Sequence, residues 1–444
     1  MGRCAVSTQK QKRPFALRAL AAFAGTLAIL FVLLLAAYAL PGERVRQHVY
    51  ASARTIQNEG LYPEYLGFKL FQMDNYTDTL MLFEAASADE LPPLQAMMTN
   101  TAYNVDNFET LADDLAWYIE KDWSTGAQRT DAPALEPLSY ARYWHGYLIW
   151  LRPLLLLMPY TGVRIVQYIV LFALLAVVLV QLRRRCGLRA AVWFAVSQLA
   201  VSVWFVPHQV QYFTCFMIAY AGCAWVLAKP RRSDVLCLGL LVLGTATAFC
   251  DLLVTPIITL GLPLTCWLLE PQQRLRGGVP QCALAVGGSL CWGTGYALCW
   301  AGKWALAGAV TNNNVLADAL HQAEVRTTAD TWHGMELTWR NIFIFLYDTL
   351  NSHHLFWPAL AVLAVLIALF ILSIRSKTAL VRALPLALTT CMTPAWFVLL
   401  RTHSIQHGWF TWRALGLTVF AGLAFLYYAC DLRAARRRLQ KGSI

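Results

Sequence analysis

Residues 160–186 read YTGVRIVQYIVLFALLAVVLVQLRRRC. Eighteen uncharged residues separate Arg164 from Arg183, about 27 Å of helix at ~1.5 Å per residue, close to the ~30 Å hydrocarbon core of a bilayer. Ile, Val and Leu recur on every face, so such a helix needs an apolar environment all round. The Arg183-Arg184-Arg185 run that ends it reads as a cytoplasmic stop, because basic residues collect in short cytoplasmic connections.

Similar apolar runs lie on both sides of this one. They predict spans at 16–40, 160–182, 190–206, 210–228, 235–252, 254–269, 282–306, 355–374, 382–400 and 411–431. With the N-terminus in the cytoplasm, every second connection is cytoplasmic. Those connections hold Lys10, Lys12 and Arg13; Arg183 to Arg185; Lys229, Arg231 and Arg232; Arg274 and Arg276; Arg375 and Lys377; and Arg433, Arg436, Arg437 and Arg438. The expected architecture is an all-α polytopic transmembrane bundle of about ten spans with both termini inside. The first apolar run is longer than the 7–15 residues of a cleaved signal, so it is read as a retained anchor.

Composition agrees. Of 444 residues, 58% are hydrophobic and 14% charged, against roughly 25% charged in a soluble domain. That excludes a soluble enzyme, a nucleic-acid-binding domain and a disordered chain. The formal charge of +11 follows from the topology clusters and implies contact with lipid headgroups, with no nucleic-acid partner. The twelve cysteines avoid residues 41–159 and sit mostly in apolar runs as small fillers. No CxxC pair, Walker loop, GxGxxG or nucleophile elbow is present.

Three parts follow. Residues 1–40 form a cytoplasmic tail and first span. Residues 41–159 form a long extracytoplasmic loop, which holds sixteen of the 25 acidic residues and is too long to be a bare connection. Within it, 41–60 and 106–122 read as amphipathic surface helices. Residues 160–444 form the remaining bundle, with a second outer loop at 308–353.

The informative polar residues gather at the predicted outer face, in FQMDNYTD (71–78), YARYWHGYLIWLRP (140–153), VPHQVQY (206–212), FCDLLVTP (249–256) and RTHSIQHGWFTWR (401–413). Asp74 and Asp78, four apart, share one helix face; two such carboxylates supply a general base or hold a divalent cation. Arg142 and His145 flank Tyr143 and Trp144 at a membrane entry, where an aromatic belt alone would not need them. His208 sits in a short turn. Asp251 lies at a span end with no charged residue nearby in sequence, so its partner must come from another helix. Arg401, His403, His407 and Arg413 crowd thirteen residues with Trp409, Phe410 and Trp412, a composition suited to phosphate oxygens. The His403/His407 spacing also permits metal ligation, but no accompanying glutamate or cysteine supports it, and no metal site is expected.

This layout resembles the GT-C class of integral-membrane glycosyltransferases, in which a first span leads to a long outer loop with surface helices and a carboxylate, followed by many spans with polar outer loops. RYWHGY, FCDLLVTP and HSIQHGWFTWR are similar to blocks in uncharacterised bacterial membrane proteins of this type. The resemblance implies a bacterial plasma-membrane enzyme that transfers a sugar from a polyprenyl-phosphate donor to an extracytoplasmic acceptor. Asp74 or Asp78 would be the base, with Glu43 a third candidate closer to the first span; Arg142, His403, His407 and Arg413 would hold the leaving phosphate. Its cofactor is left open, a divalent cation included. Two other classes remain: a transporter or flippase of a lipid-linked or amphiphilic substrate, which should show polar groups deep in its spans, and a non-catalytic membrane protein, which should tolerate changes at Asp74, Asp78 and His403.

Overall fold

A computed structural model of the chain describes residues 14–431 apart from 105–108, 121–134, 277, 329–330, 333–334, 337–346, 349, 352–353 and 355. Two of the predicted basic clusters, Lys10 to Arg13 and Arg433 to Arg438, lie outside the described residues, as do parts of the stretches 106–122 and 308–353. Among the described residues the chain is almost wholly helical, with two small antiparallel pairs at 101–103/137–139 and 331–332/335–336. It is a membrane protein by the length and composition of its helices.

Among the described residues seven helices are long and apolar enough to cross a bilayer: Phe15–Tyr38, Tyr160–Cys186, Val210–Ala228, Ser233–Cys250, Gly278–Thr311, Lys377–Leu399 and Gly408–Ala429. The predicted spans at 190–206 and 254–269 fall instead on Leu188–Ala200 and Ile257–Leu268, helices of 13 and 12 residues. At ~1.5 Å per residue these reach about 18–20 Å. The first stops where Ser202 takes a positive φ of 55° and a 3-10 turn, Val203–His208, follows; the second starts only after Pro256. The stretch 355–374 carries helix Phe356–Ser373. Every residue of Ile257–Leu268 is buried, packed by Val210–Ala228, Lys377–Leu399 and Leu415–Ala429. An apolar helix with no polar face belongs in such a centre.

Ser233–Cys250 and Gly278–Thr311 approach backbone to backbone. A Cβ on Gly244 would lie 2.1 Å from the Trp292 carbonyl oxygen, and one on Gly295 would lie 2.2 Å from that of Leu241. Small residues permit this approach where apolar burial cannot drive helix association.

The segment after the first span folds on itself and on the bundle. Helix Gly42–Glu59 buries Val45, Val49, Ala53 and Ile56 along one face, the helical spacing its sequence carries. Helix Leu111–Glu120 packs beside it. Buried cations hold this segment to the spans. The Lys303 ammonium donates to the carbonyls of Met97 (2.7 Å) and Met98 (3.4 Å) and to Asn100 Oδ1 (2.7 Å), at the C-terminal end of helix Pro93–Thr99. Arg152 likewise donates to the carbonyls of Tyr38 and Leu40 at the end of the first span. Both place positive charge where a helix leaves unpaired carbonyls. Arg164 grips Glu59 with both guanidinium arms at 2.5 and 2.8 Å.

Candidate functional site

A cavity of about 150 Å³ opens at the end of the bundle where Val210–Ala228 and Gly408–Ala429 begin and Ser233–Cys250 ends. At ~30 Å³ per water it holds roughly five waters, room for a small anionic group. Its walls come from six distant stretches: Asp74 to Glu84, Tyr140 to Tyr147, Gln211, Leu252, Arg326, and His403 to Phe410.

Helix Asn75–Ser87 forms one wall. Asp74 is its N-cap, and Thr77, Leu80, Met81 and Glu84 follow at the three- and four-residue spacing of a single face. The Asp74 carboxylate accepts from the Thr77 backbone (3.0 Å) and hydroxyl (2.7 Å) and from Gln211 Nε2 (2.6 Å). Burial lifts its pKa above the ordinary carboxylate range, against those hydrogen bonds.

Tyr143, His145 and Tyr147 of the RYWHGY motif form a second wall, and Trp144 and Gly146 between them anchor the motif to the bundle. Trp144 stacks on Phe249 (4.7 Å between ring centres) and donates Nε1 to the Cys299 carbonyl. Gly146 donates its N–H to the Phe249 carbonyl at 2.8 Å, and a Cβ there would sit 2.5 Å from that oxygen. Only glycine fits this approach. The preceding residue, His145, is held at a positive φ of 56°, a strained conformation maintained by its surroundings. Its Nδ1 lies 2.6 Å from Glu84 Oε2 and its Nε2 lies 3.2 Å from the Tyr140 carbonyl, so both ring nitrogens face acceptors. Tyr147 donates its hydroxyl to the same Glu84 carboxylate.

The third wall carries His403 and His407, whose rings lie 4.7 Å apart. His403 Nε2 is 2.9 Å from the Leu253 carbonyl, which can only accept, so that nitrogen carries the proton. In the neutral ring Nδ1 is then an acceptor, and it is buried without a partner among the described residues. Burial and the nearby His407 and Arg326 push the His403 pKa well below the ordinary imidazole value. Burial and Arg326 lower that of His407 to about 4. Both rings are therefore neutral at neutral pH. The cationic charge of the cavity comes from Arg326, whose Nη1 donates to the Tyr143 hydroxyl at 2.7 Å.

Of the ten residues singled out from sequence, Asp74, His145, His403 and His407 line this cavity; the other six do not. Asp78 is fully buried and accepts the N–H groups of Val210 (2.9 Å) and Gln211 (3.2 Å) and the Tyr160 hydroxyl, capping helix Val210–Ala228 from another element. Burial pushes its carboxyl up to about 7. Asp251 closes its own turn, accepting from the Val254 N–H, and burial raises it to about 6. Arg142 pairs with Asp318 at 3.2 Å and lies over the Tyr140 ring. His208 bonds the Tyr168 hydroxyl at 2.7 Å and stacks on Phe205. Arg413 donates to the Leu70 carbonyl inside a cage of Phe205, Tyr212 and Trp412. Arg401 starts helix Arg401–Gln406, away from the lining. Arg326 and Glu84 escaped the sequence reading. Glu84 shares the helical face of Thr77 and Leu80, a signal present in sequence, whereas Arg326 sits on an ordinary amphipathic helix, Val315–Thr328, with nothing to set it apart. Among the described residues no group of three His, Cys, Asp or Glu is placed to hold a metal ion.

The neutral histidines have a pH consequence. The His407 pKa is about 4 in the folded chain and near 6.5 unfolded, so its contribution to stability is complete above about 6.5 and is lost as pH falls through 4. The raised carboxyls of Asp78 and Asp251 act in the opposite sense over much of this range, losing stability as pH rises, so the informative quantity is a difference. Unfolding midpoints of wild type and His407→Gln, measured from pH 7.5 to 4, should converge on acidification. The linked slope is at most about 1.4 kcal/mol per pH unit, and less for the part of the ring that water reaches. Parallel curves would show that His407 does not resist protonation.

No protein-family model, curated protein or solved structure matches this chain.

Proposed function

We propose that the chain is a GT-C-like membrane glycosyltransferase, moving a sugar from a polyprenyl-phosphate donor to an acceptor at the extracytoplasmic face, with both termini in the cytoplasm. One observation carries this reading. Asp74, His145, Arg326, His403 and His407, distant in sequence, line one cavity at a single end of the bundle.

The residues divide the chemistry as follows. The acceptor hydroxyl gives its proton to the Asp74 carboxylate while its oxygen attacks the anomeric carbon of the donor. The bond from that carbon to the phosphate oxygen breaks, and the electron pair leaves with the phosphate. Arg326 faces the developing charge, where a preorganised donor contributes most. The bare His403 Nδ1 accepts from a hydroxyl and so orients acceptor or sugar. The Glu84–His145–Tyr147 group fixes the wall opposite. Arg326 thus takes the phosphate role that sequence had assigned to Arg142 and Arg413.

The wholly buried Ile257–Leu268 at the bundle centre favours this reading over transport, since it fills the middle with apolar side chains. The test is sugar release from a polyprenyl-phosphate donor by the purified chain in nanodiscs, beside donor binding. Arg326→Gln should weaken donor affinity by roughly tenfold to a hundredfold, the range for one charge-assisted contact, with the unfolding midpoint little changed. No turnover with the wild-type chain and equal donor affinity in the variant would overturn the proposal.

A further inference from the structure

The opposite end of the same helices holds two adjoining cavities, of about 330 and 600 Å³, both larger than the one just described. They share Arg274, Arg375 and Tyr428. The smaller adds Arg382, Gln273, Gln281 and Ser376.

Three guanidinium groups around one hollow repel one another, yet Arg274, Arg375 and Arg382 form no ion pair among the described residues. Glu270, just before helix Pro271–Arg274, is taken by Arg185 at 2.7 Å and lies outside the lining. Arg274 is aimed by the Tyr428 hydroxyl (2.6 Å), and Arg375 by the Cys430 carbonyl (2.5 Å). Arg382 has no hydrogen-bond partner among the described residues. Helix Lys377–Leu399 begins here, capped by Ser376, and its first-turn residues Thr378 and Ala379 line the hollow, adding the positive end of a long helix. Two further groups have unmet hydrogen bonds. Among the described residues Gln281, 3% exposed, leaves Oε1 without a partner, and Arg274 leaves Nε without one. A buried acceptor and a buried donor left open cost free energy unless a ligand bearing both a hydroxyl and an anionic oxygen meets them.

We propose that this hollow binds a phosphate group through Arg274, Arg375 and Arg382, with Gln281 accepting from a hydroxyl of the same ligand. Arginine forks match phosphate oxygens in pairs, and a basic pocket between membrane helices is a recognised form of headgroup site. Exposed Leu384 and Leu388 on Lys377–Leu399 and Val279 and Val286 on Gly278–Thr311 continue from the hollow along the bundle, an apolar surface that acyl chains can cover. The same phosphate chemistry is offered by an anionic lipid and by a soluble phosphate compound. This site is independent of the glycosyltransferase reading.

The experiment uses the full chain reconstituted with equal phosphatidylglycerol and phosphatidylcholine, and counts retained lipids by native mass spectrometry. In parallel, unfolding midpoints are read in pure phosphatidylcholine nanodiscs with and without inorganic phosphate. Wild type should retain phosphatidylglycerol preferentially, and Arg375→Gln/Arg382→Gln should lose that preference by roughly tenfold. Arg382→Gln alone, which removes no hydrogen bond or ion pair among the described residues, should show part of the loss and guards against misfolding of the double variant. Protection by inorganic phosphate that the variants abolish, without a lipid preference, supports the site and assigns it to a soluble ligand. Equal lipid retention in all three chains together with no phosphate effect overturns the proposal.

Discussion

Asp74→Asn should lower turnover by roughly 10²–10⁴, the range for losing acid–base catalysis, while donor binding stays close to wild type. The variant isolates proton acceptance. Asparagine keeps the size of the side chain and one acceptor oxygen, and it is as good an N-cap as aspartate for helix Asn75–Ser87. Thr77 and Gln211, which hold the carboxylate now, can hold the amide. An unfolding midpoint near that of wild type therefore accompanies the expected loss. Sugar release from a polyprenyl-phosphate donor in nanodiscs is the measurement. Full turnover in Asp74→Asn would remove this residue from the chemistry and move the base to His403, whose Nδ1 is an acceptor without a partner among the described residues.

Asp78→Ala should show its effect as lost stability. Removing that carboxylate leaves the N–H groups of Val210 and Gln211 without an acceptor in a buried place. At roughly 1–3 kcal/mol for each orphaned donor, the cost is about 2–6 kcal/mol, enough to lower the thermal midpoint visibly in any detergent. Asp78→Asn, which retains one acceptor oxygen, should cost less than half of that. A midpoint unchanged in Asp78→Ala would mean that water or a neighbouring group replaces the cap. The two carboxylates, four residues apart, thus separate into one that faces the cavity and one that ties down a helix.

That separation was illegible in the sequence for a definite reason. Asp78, Asp251 and Arg413 mostly satisfy backbone groups, and backbone N–H and C=O leave no mark in a side-chain pattern. Long apolar runs, by contrast, are visible because crossing a bilayer is a local requirement on composition. The same rule over-reads Ile257–Leu268 and Leu188–Ala200, where proline or a left-handed turn shortens the helix; protein replaces lipid as the apolar surroundings of the first, whereas Leu188, Val192, Val196 and Leu199 of the second stay exposed. His145, His403 and His407 stood out as polar groups set among aromatics at span ends. Glu84 and Arg326 did not: Glu84 is one of sixteen carboxylates in the first outer loop, and Arg326 sits on an ordinary amphipathic helix.

Ile257–Leu268 also constrains the order in which the chain can be built. At 12 residues, about 18 Å, it is too short to match the hydrocarbon by itself. Gly261 accepts the Leu417 side chain against its backbone, so helix Leu415–Ala429 closes over it. While a ribosome is still making residues 377–429, this segment has Val210–Ala228, Ser233–Cys250 and Gly278–Thr311 beside it but lacks Lys377–Leu399 and Leu415–Ala429. Its packing is then partial, and it is completed only when those two helices arrive. The centre of the bundle is therefore finished late, by segments far downstream of it in the sequence.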